Sequence, residues 1–349
     1  MTDLAQSTIH KNSTVEEGLR KLNLIPDSLV LFVLDEDAKL VGTLTDGDVR
    51  RGLLQGKTIK DKIADFMHRD FRFIRQGNFH IDEIERYKEQ SIYLLPLLDK
   101  EDRLVKVLNL KKLKSVLPAE AVIMAGGKGQ RLRPLTLDKP KPLLKVGDKP
   151  ILEYNIDRLR DFGIQNIHIT IKYLGDQIIE YFGDGKNKGL EIAYFEEAKP
   201  MGTIGSLAAI GDITCPHVLL MNSDLLTNID LHDFFRFYQN SGADMAVASI
   251  PYEVNIPYAV LETDNNNSVK SLKEKPTYTY YSNAGIYFLK KEIIDLIPKA
   301  EFFDAPDLMD KLIQMGRKVA AYPLHCYWLD IGKHHDYEKA QEDIKHIKL

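Results

Sequence analysis

Cysteine and long apolar runs are both scarce in this sequence. Its 349 residues include two cysteines, Cys215 and Cys326, which are too few for a disulfide framework and lack the spacing of a zinc site. We interpret both as reduced thiols, a state typical of reducing compartments. No stretch of about 18 apolar residues is present, and Met1–His10 lacks the basic and apolar regions of a signal peptide. The sequence therefore predicts a cytoplasmic protein that neither spans nor binds a membrane.

A surplus of positive charge is also missing. The chain has 47 Lys and Arg residues against 51 Asp and Glu residues, and its net charge is −4. This balance argues against nucleic acid as a partner, because phosphate backbones select broadly basic surfaces. Any polyanion bound here should be small and held by a local basic cluster. The length favours two domains.

A weak repeat with an offset of 64 residues divides the first 115 residues. Leu34–Val41 is matched by Leu98–Val105, and in each copy the pattern is that of a β-hairpin. We predict a helix before each hairpin, at Thr14–Leu22 and Ile81–Glu89. A second helix is predicted after each hairpin, at Asp48–Gln55 and Leu110–Val116.

This repeat resembles a tandem pair of CBS modules. The segment Gly42–Arg51 is the most similar part, and the resemblance implies an adenine nucleotide at Thr45, Asp46 and Asp48. The alternative is purely structural: Asp46 and Gly47 form a turn, and Asp48 caps the following helix. The second copy has Asn109–Lys112 in place of Thr45–Asp48, so we expect at most one of the two copies to bind a nucleotide. We assign the pair to residues 1–117 (about 1–57 and 58–117) and a catalytic domain to residues 118–349.

A glycine loop follows the apolar run Ala121–Met124. A strand that leads into glycines is typical of a nucleotide-binding turn, because the backbone can approach phosphates closely. Gly129 is followed by Gln130, so the loop has neither the Walker A spacing nor the third glycine of a dinucleotide fingerprint. Seven cations and two anions follow between residues 127 and 149, which suits a triphosphate. The cations are Lys128, Arg131, Arg133, Lys139, Lys141, Lys145 and Lys149.

The segments Gly126–Thr136 and Pro140–Leu144 together resemble the signature of the sugar-1-phosphate nucleotidyltransferases. The resemblance covers roughly residues 120–345, and its one departure inside the signature is Gln130, where the family more often has Thr or Ser. It implies an α/β domain with a Rossmann-like, mixed but mostly parallel sheet of the glycosyltransferase-A type. It also implies nucleotide-binding residues at Ala125, Gly126, Gly127, Gly129, Gly202, Thr203 and Gly205.

The same resemblance implies the other site residues. For the turn at Gly202–Leu207, the alternative is a helix N-terminus capped by Thr203 or Ser206. Two carboxylates are expected to hold Mg²⁺, Asp224 after an apolar strand and Asp330 near the C-terminus. The residues expected to contact the sugar and its phosphate are Glu274, Lys275, Asn283 and Gly285.

The implied chemistry is in-line attack by a sugar 1-phosphate on the α-phosphorus of a nucleoside triphosphate, with pyrophosphate leaving, for surface-glycan biosynthesis. Arg131 would neutralise the β- and γ-phosphates, and Lys141 would lie near the α-phosphate. GTP is favoured, since relatives fused to CBS modules are often guanylyltransferases, but thymidylyl and uridylyl relatives share most of the motif. The sugar is open. CBS pairs frequently dimerise, which implies a homo-oligomer regulated by nucleotide. The alternative is a nucleotide-sensing protein with a degenerate transferase domain.

Overall fold

The computed structural model describes residues 4–25, 29–77 and 79–349. The chain divides into two compact units. The first consists of the chain up to Pro118 together with the short segment Asp161–Gly163, and the second consists of Ala119–Arg160 and Ile164–Leu349. Residues 1–3, where the segment considered for a signal peptide begins, lie outside the described residues. Within the described ranges, no helix is long and apolar enough to cross a membrane.

The N-terminal unit contains two copies of one strand–helix–strand–strand arrangement. Each copy forms a three-stranded sheet in which the first pair of strands is parallel and the second is an antiparallel hairpin. An apolar cluster that includes Phe32, Leu40, Leu98 and Val107 joins the two copies. The elements are α1 (Leu4–Ser7), β1 (Thr8–His10), α2 (Val15–Leu22), β2 (Val30–Leu34), β3 (Leu40–Thr45), α3 (Asp46–Leu54), β4 (Ile74–Arg75), α4 (Ile81–Glu89), β5 (Leu94–Leu98) and β6 (Leu104–Asn109).

The helix predicted at Leu110–Val116 is wrong, because this segment forms turns and irregular structure. In the first copy, Thr45 and Asp48 cap the start of α3 reciprocally. The second copy has no such pair. Asn109 instead accepts a hydrogen bond from the amide of Lys111 at 3.1 Å, which closes a local turn and does not start a helix.

The second unit is built on a seven-stranded sheet with the order β11-β10-β7-β12-β17-β14-β18. Four of its six strand pairs are parallel and the two pairs that involve β17 are antiparallel, so the predicted mixed, mostly parallel sheet is confirmed. The strands are β7 (Ala119–Ala125), β8 (Lys145–Val146), β9 (Lys149–Pro150), β10 (Asn166–Ile171), β11 (Glu191–Glu196), β12 (His217–Asn222), β13 (Leu225–Thr227), β14 (Met245–Asn255), β15 (Val260–Thr263), β16 (Val269–Lys273), β17 (Thr277–Lys290), β18 (Val319–Pro323) and β19 (Trp328–Asp330). The helices are α5 (Ile151–Asp161), α6 (Gly175–Phe182), α7 (Leu231–Ser241), α8 (Ala305–Gln314) and α9 (His334–Asp343).

The order of the parallel strands reverses at β7. The chain runs from β7 to β10 and β11 on one side and then returns to β12 on the other side. Such a switch point leaves a crevice at the carboxyl ends of the strands, where open α/β sheets bind ligands. The nearly continuous burial of β7 and β12 explains why both read as unbroken apolar runs in the sequence.

A two-stranded ribbon extends beyond this sheet. The outer halves of β14 and β17 pair from Ser249 with Asn283 to Asn255 with Thr277, and the hairpin of β15 and β16 lies between them in the chain. Most residues of this ribbon are exposed.

Glu120, near the start of β7, is a buried carboxylate at 1% exposure. Burial alone would raise its pKa, but hydrogen bonds from His168, from Thr214 and from the Cys215 amide lower it to about 2. The Glu120 oxygens lie 2.9 Å from His168 Nε2 and 2.6 Å from Thr214 Oγ1. Because the folded pKa is below the ordinary value of 4.5, this carboxylate stabilises the fold above that pH.

We therefore expect Glu120→Gln to lower the free energy of unfolding at pH 7 by on the order of 3 kcal/mol. The difference from wild type should shrink as the pH falls from about 4.5 towards 2, since the wild-type carboxylate then becomes protonated. Denaturant unfolding at several pH values measures this, with Glu191→Gln, an exposed glutamate at the start of β11, as the control. A difference that is equal at pH 7 and pH 3 would contradict this origin of stability.

Candidate nucleotide-binding site

A cavity of about 600 Å³ lies at the carboxyl ends of β7, β10, β11 and β12. Its position is the switch point of the sheet, as expected for an open α/β fold. The lining residues are Met124, Ala125, Gly126, Gly127, Lys128, Gly129, Gln130, Arg131, Lys141, Pro142, Thr170, Lys172, Glu197, Pro200, Met201, Gly202, Thr203, Asn222, Ser223, Asp224, Phe302 and Gly332.

The glycine loop forms one wall of the cavity. Gly129 has a φ of +59°, and a Cβ atom there would lie 3.0 Å from Thr136 and 3.1 Å from Lys141. The buried Thr136 donates a hydrogen bond from Oγ1 to the carbonyl of Gly129 at 2.8 Å, which holds the turn. No neighbour lies within 4 Å of a Cβ built on Gly127. The loop is thus fixed at one end and presents bare backbone to the cavity at the other.

The predicted basic cluster is divided in the structure. Three of the seven cations line the cavity, Lys128, Arg131 and Lys141. Lys149, by contrast, lies on the small β8–β9 hairpin and forms an ion pair with Asp157 at 2.8 Å. The prediction of a single seven-cation site is therefore wrong, because the side chains of the other four are exposed outside the cavity. These are Arg133, Lys139, Lys145 and Lys149.

Lys141 brings the two predicted metal-binding carboxylates together. It is 9% exposed, its Nζ donates to Asp224 Oδ2, and the same atom lies 3.9 Å from Asp330 Oδ1. The strands β13 and β19 explain this convergence, because Leu225, the residue after Asp224, pairs with Asp330. Two carboxylates and one ammonium group therefore meet beside the glycine loop.

This cluster carries unbalanced negative charge. Burial raises the pKa of Asp330, and the neighbouring Asp224 raises it further, against the opposing effects of Lys141 and Arg131. In the described part of the chain, Oδ1 of Asp224 and Oδ1 of Asp330 are buried without a hydrogen-bond partner. Buried carboxylate oxygens are costly to leave unpaired, so the cluster is suited to receive a further cation.

The second glycine turn is tied to the start of α8. A Cβ on Gly202, whose φ is +76°, would lie 2.5 Å from the carbonyl oxygen of Phe303. Thr203 Oγ1 accepts a hydrogen bond from the amide of Ala305 at 2.9 Å. The alternative of a helix capped by Thr203 or Ser206 is wrong for this turn. The short 3₁₀ helix Gly205–Ala209 that follows it has no side-chain cap among the described residues, and Thr203 binds the first amide of α8 instead. Gly202 and Thr203 line the cavity, whereas Gly205 does not.

The residues predicted to contact the sugar are not all brought to the cavity. Glu274 and Lys275 are exposed, follow β16 and do not line the cavity. Asn283 accepts a hydrogen bond from the Gly285 amide at 2.9 Å. A Cβ on Gly285 would lie 2.5 Å from the side chain of Asn222, a cavity residue.

Several cavity residues were missed by sequence reasoning, and Glu197 is the most informative of them. It is 7% exposed, and a Cβ on Gly126 would lie 3.1 Å from its carboxylate. Burial raises the pKa of Glu197, against the lowering effects of Ser206, the Met201 amide and Lys172. Its position directly after β11, at the same sheet edge as Asp224, is a signal that could have found it. The other missed residues include Lys172, Asn222, Ser223, Phe302 and Gly332.

In the N-terminal unit, the side chains predicted to bind an adenine nucleotide have local partners. Thr45 Oγ1 donates to Asp48 Oδ2 at 2.6 Å, Asp48 also pairs with Arg51, and Asp46 is exposed. This is the capping alternative that the sequence left open. Adenine-nucleotide binding at Thr45, Asp46 and Asp48 stays a prediction.

The fold and the cavity together define an open α/β protein with a glycine-lined cavity at the switch point of its sheet, where proteins of this class bind ligands. The model of the nucleotidyl transferase family matches residues 120–347, and the chain belongs to this family. The matched residues begin after the N-terminal unit.

Two curated relatives and one solved structure illustrate the similarity. The chain is 31% identical over 254 residues to the UTP–glucose-1-phosphate uridylyltransferase of Synechocystis sp., an alignment that covers 66% of each protein. It is 31% identical over 230 residues to the mannose-1-phosphate guanylyltransferase of Mycobacterium tuberculosis, with 64% of each protein covered. HddC from Yersinia pseudotuberculosis, solved in complex with GMP-PN, is 28% identical with a TM-score of 0.50, over 65% of this chain and 99% of HddC. The chain thus spans just under two thirds of the length of the two curated relatives.

Proposed function

We propose that this protein transfers a nucleotidyl group from a nucleoside triphosphate to a sugar 1-phosphate and releases pyrophosphate. The observation that carries the proposal is the convergence of Lys141, Asp224 and Asp330 beside a bare glycine loop. Both substrates are anions, so alignment and charge neutralisation are the main requirements, and no covalent nucleophile is needed.

We assign the cations by their positions in the cavity. Lys128 lies within the glycine loop, Arg131 follows it, and both line the cavity, so they are placed to meet the β- and γ-phosphates. Lys141 would stabilise the charge that develops on the α-phosphate, since it is fixed between two carboxylates at the centre of the cluster. The sugar 1-phosphate oxygen attacks the α-phosphorus, the bond to the β-phosphate oxygen breaks, and pyrophosphate carries the released charge.

We propose that Asp224 and Asp330 hold Mg²⁺. Mg²⁺ prefers carboxylate, phosphate and water oxygens and needs one or two protein carboxylates. The two Oδ1 atoms, which have no hydrogen-bond partner among the described residues, support this. Among the described residues, no group of three or more His, Cys, Asp and Glu side chains is arranged for a metal ion, so phosphate oxygens and water would supply the remaining ligands. When bound, the ion would neutralise phosphate charge.

We propose GTP as the nucleotide, and Glu197 is the observation that favours it. An ionised carboxylate only accepts hydrogen bonds. Guanine offers two adjacent donors, N1–H and N2–H₂, to such an acceptor, whereas uracil and thymine place carbonyl oxygens on both sides of one N–H. The GMP-PN complex of HddC adds support from a relative. The uridylyl relative shows why the base has to be tested directly.

Glu197→Gln is expected to reduce the preference for GTP over UTP, measured as the ratio of kcat/KM values, by roughly tenfold to a hundredfold. The glutamine amide has one acceptor and one donor group, which suits the O4 and N3–H of uracil better than the two donors of guanine. Steady-state pyrophosphate release with both nucleotides measures the ratio. The exposed neighbour Glu196→Gln is the matched control, and an unchanged ratio in Glu197→Gln would rule out this role.

We propose that Glu274, Lys275, Asn283 and Gly285 contact the sugar 1-phosphate, as the resemblance implies. The contact between Gly285 and the cavity residue Asn222 supports this for the inner part of the ribbon. Glu274 and Lys275 are exposed outside the cavity, so the proposal requires the β15–β16 hairpin to approach the cavity when the sugar binds.

For the N-terminal unit, we propose a tandem CBS pair that regulates the enzyme. The two copies with equal strand order and a common apolar cluster support this proposal. We also propose a homo-oligomer, because large exposed apolar side chains are concentrated on the ribbon and on residues 256–276, which connect its two strands, and such patches mark protein interfaces. They include Tyr252, Tyr258, Leu261, Leu272, Tyr280 and Tyr281.

A matrix assay tests the proposed function. Pyrophosphate release is measured for GTP, UTP, dTTP and ATP against several sugar 1-phosphates, with and without Mg²⁺. Release that requires one triphosphate, one sugar phosphate and Mg²⁺ together would support the proposal. The absence of release in every combination would favour the alternative of a nucleotide-sensing protein with a degenerate transferase domain.

A further inference from the structure

Phe302 is an aromatic residue at the cavity that the proposed reaction does not use. Its side chain lines the cavity with Met201, Gly202 and Thr203, and the residue is 63% exposed. One exposed phenylalanine is common on protein surfaces and needs no explanation by itself. The way in which this residue is held in place is the unusual feature.

The backbone next to Phe302 is hydrogen-bonded to the second glycine turn. The amide of Phe303 donates to the carbonyl of Met201 at 3.0 Å, and the amide of Ile204 donates to the carbonyl of Phe303 at 3.1 Å. A third bond runs from the Thr203 amide to the carboxylate of Asp304 at 2.7 Å. Phe302 therefore sits on a backbone that is fixed to the cavity wall.

Glycine makes this close contact feasible. A Cβ on Gly202 would lie 2.5 Å from the carbonyl oxygen of Phe303, and one on Gly205 would lie 2.5 Å from that of Glu301. The two backbone segments can meet only because both side chains are missing. Gly205 thus supports the wall on which Phe302 stands, although it does not line the cavity itself.

The two adjacent phenylalanines differ in their surroundings. Phe303 is partly buried and packs against the apolar cluster on one face of the sheet. Phe302 faces the cavity instead, where Gly126, Gly127 and Gly202 contribute no side chains. An exposed ring on a hydrogen-bonded backbone beside such open space suits a planar ligand group, because an aromatic ring loses little conformational entropy on contact.

We propose that the Phe302 ring stacks on the nucleobase and favours a purine. This inference rests on the proposed function and adds a second recognition element to it, since Glu197 would contact the edge of the base and Phe302 its face. Stacking does not depend on hydrogen-bond pattern, and a purine presents a larger surface to the ring than a pyrimidine does.

The test compares ligands with and without a base. Calorimetric titrations in Mg²⁺ use GTP, UTP and inorganic tripolyphosphate on the full-length wild type and on Phe302→Ala, Phe302→Leu and Phe302→Trp. We expect Phe302→Ala and Phe302→Leu to weaken GTP binding by roughly tenfold or more, to weaken UTP binding less, and to leave tripolyphosphate unchanged. Phe302→Trp should retain GTP binding. Tyr181→Ala, which removes an aromatic residue that is 48% exposed on α6 and does not line the cavity, is the matched control.

Each outcome of these titrations either supports or overturns the proposed stacking of Phe302 on the base. Wild-type affinity for GTP in Phe302→Ala, or full affinity in Phe302→Leu, would overturn stacking. An equal loss for GTP and tripolyphosphate would overturn it as well, because the ring would then support the loop and not the base. If the wild type binds neither GTP nor UTP, the proposed function fails together with this inference. If it binds them and Phe302→Ala is unaffected, only the inference fails.

Discussion

Lys141→Ala is expected to lower kcat for pyrophosphate release by a hundredfold or more, with a smaller effect on KM for the nucleotide. The reason is electrostatic: removing one pre-positioned donor from the developing charge of a transition state typically costs this much. Lys141 is fixed by the ion pair with Asp224 and by its 3.9 Å approach to Asp330, so it needs no rearrangement to act. Steady-state kinetics with saturating sugar 1-phosphate measure the effect.

The same substitution leaves two partly buried carboxylates without their buried cation, so the stability of the variant has to be measured beside its activity. Removing one partner of a buried ion pair is destabilising, and Mg²⁺ should therefore raise the thermal midpoint of Lys141→Ala more than that of the wild type. Lys139→Ala, an exposed lysine of the same basic segment that does not line the cavity, is the control. Near-normal turnover in folded Lys141→Ala would refute the role that we assign.

Asp224→Asn is expected to abolish Mg²⁺-dependent pyrophosphate release, and Asp330→Asn to reduce it severely. An amide oxygen is a weaker ligand for a hard cation than a carboxylate oxygen. Asp330→Asn should not lower the stability of the metal-free protein, because it removes one of two neighbouring negative charges, whose proximity raises the pKa of Asp330. Asp224→Asn should lower this stability, because it removes the ion-pair partner of the buried Lys141. Pyrophosphate release as a function of Mg²⁺ concentration and thermal unfolding in a chelator measure the two effects.

Asp148→Asn provides the comparison for both carboxylates. Asp148 is an exposed aspartate between β8 and β9 that does not line the cavity, so its activity and Mg²⁺ dependence should match those of the wild type. Unchanged Mg²⁺ dependence in Asp224→Asn would place the metal elsewhere in the protein. A loss of folding in either variant would instead point to a structural role for the carboxylate pair.

The strands at the centre of the sheet could be predicted closely from the sequence. Ala121–Met124 reads as a buried run because parallel strands are covered on both faces, and β7 extends it only to Ala119–Ala125. The glycine loop was predictable for a similar reason, since the tight turn at Gly129 requires a residue that tolerates positive φ. Both signals are local.

Signals that depend on distant neighbours were misread or missed. The charge of Lys149 was counted for the cavity, but the β8–β9 turn carries this side chain to Asp157. Glu197 follows β11 as Asp224 follows β12, but the signal is weaker because β11 is mostly exposed or half-buried and is not an unbroken apolar run. Phe302 was overlooked because the glycine turn that fixes its backbone lies about a hundred residues earlier in the chain.

The sequence by itself determined the class of domain, and its glycine spacing and charge density predicted phosphate binding at the Gly126–Lys141 segment. The choice of Asp224 and Asp330 as candidate metal ligands came from the family resemblance. Only the tertiary structure decided that Asp224 and Asp330 meet at Lys141, and that Glu197 and Phe302 line the same cavity as the glycine loop. The physical reason is that strand pairing, as between β13 and β19, joins residues whose separation in the chain leaves no local trace.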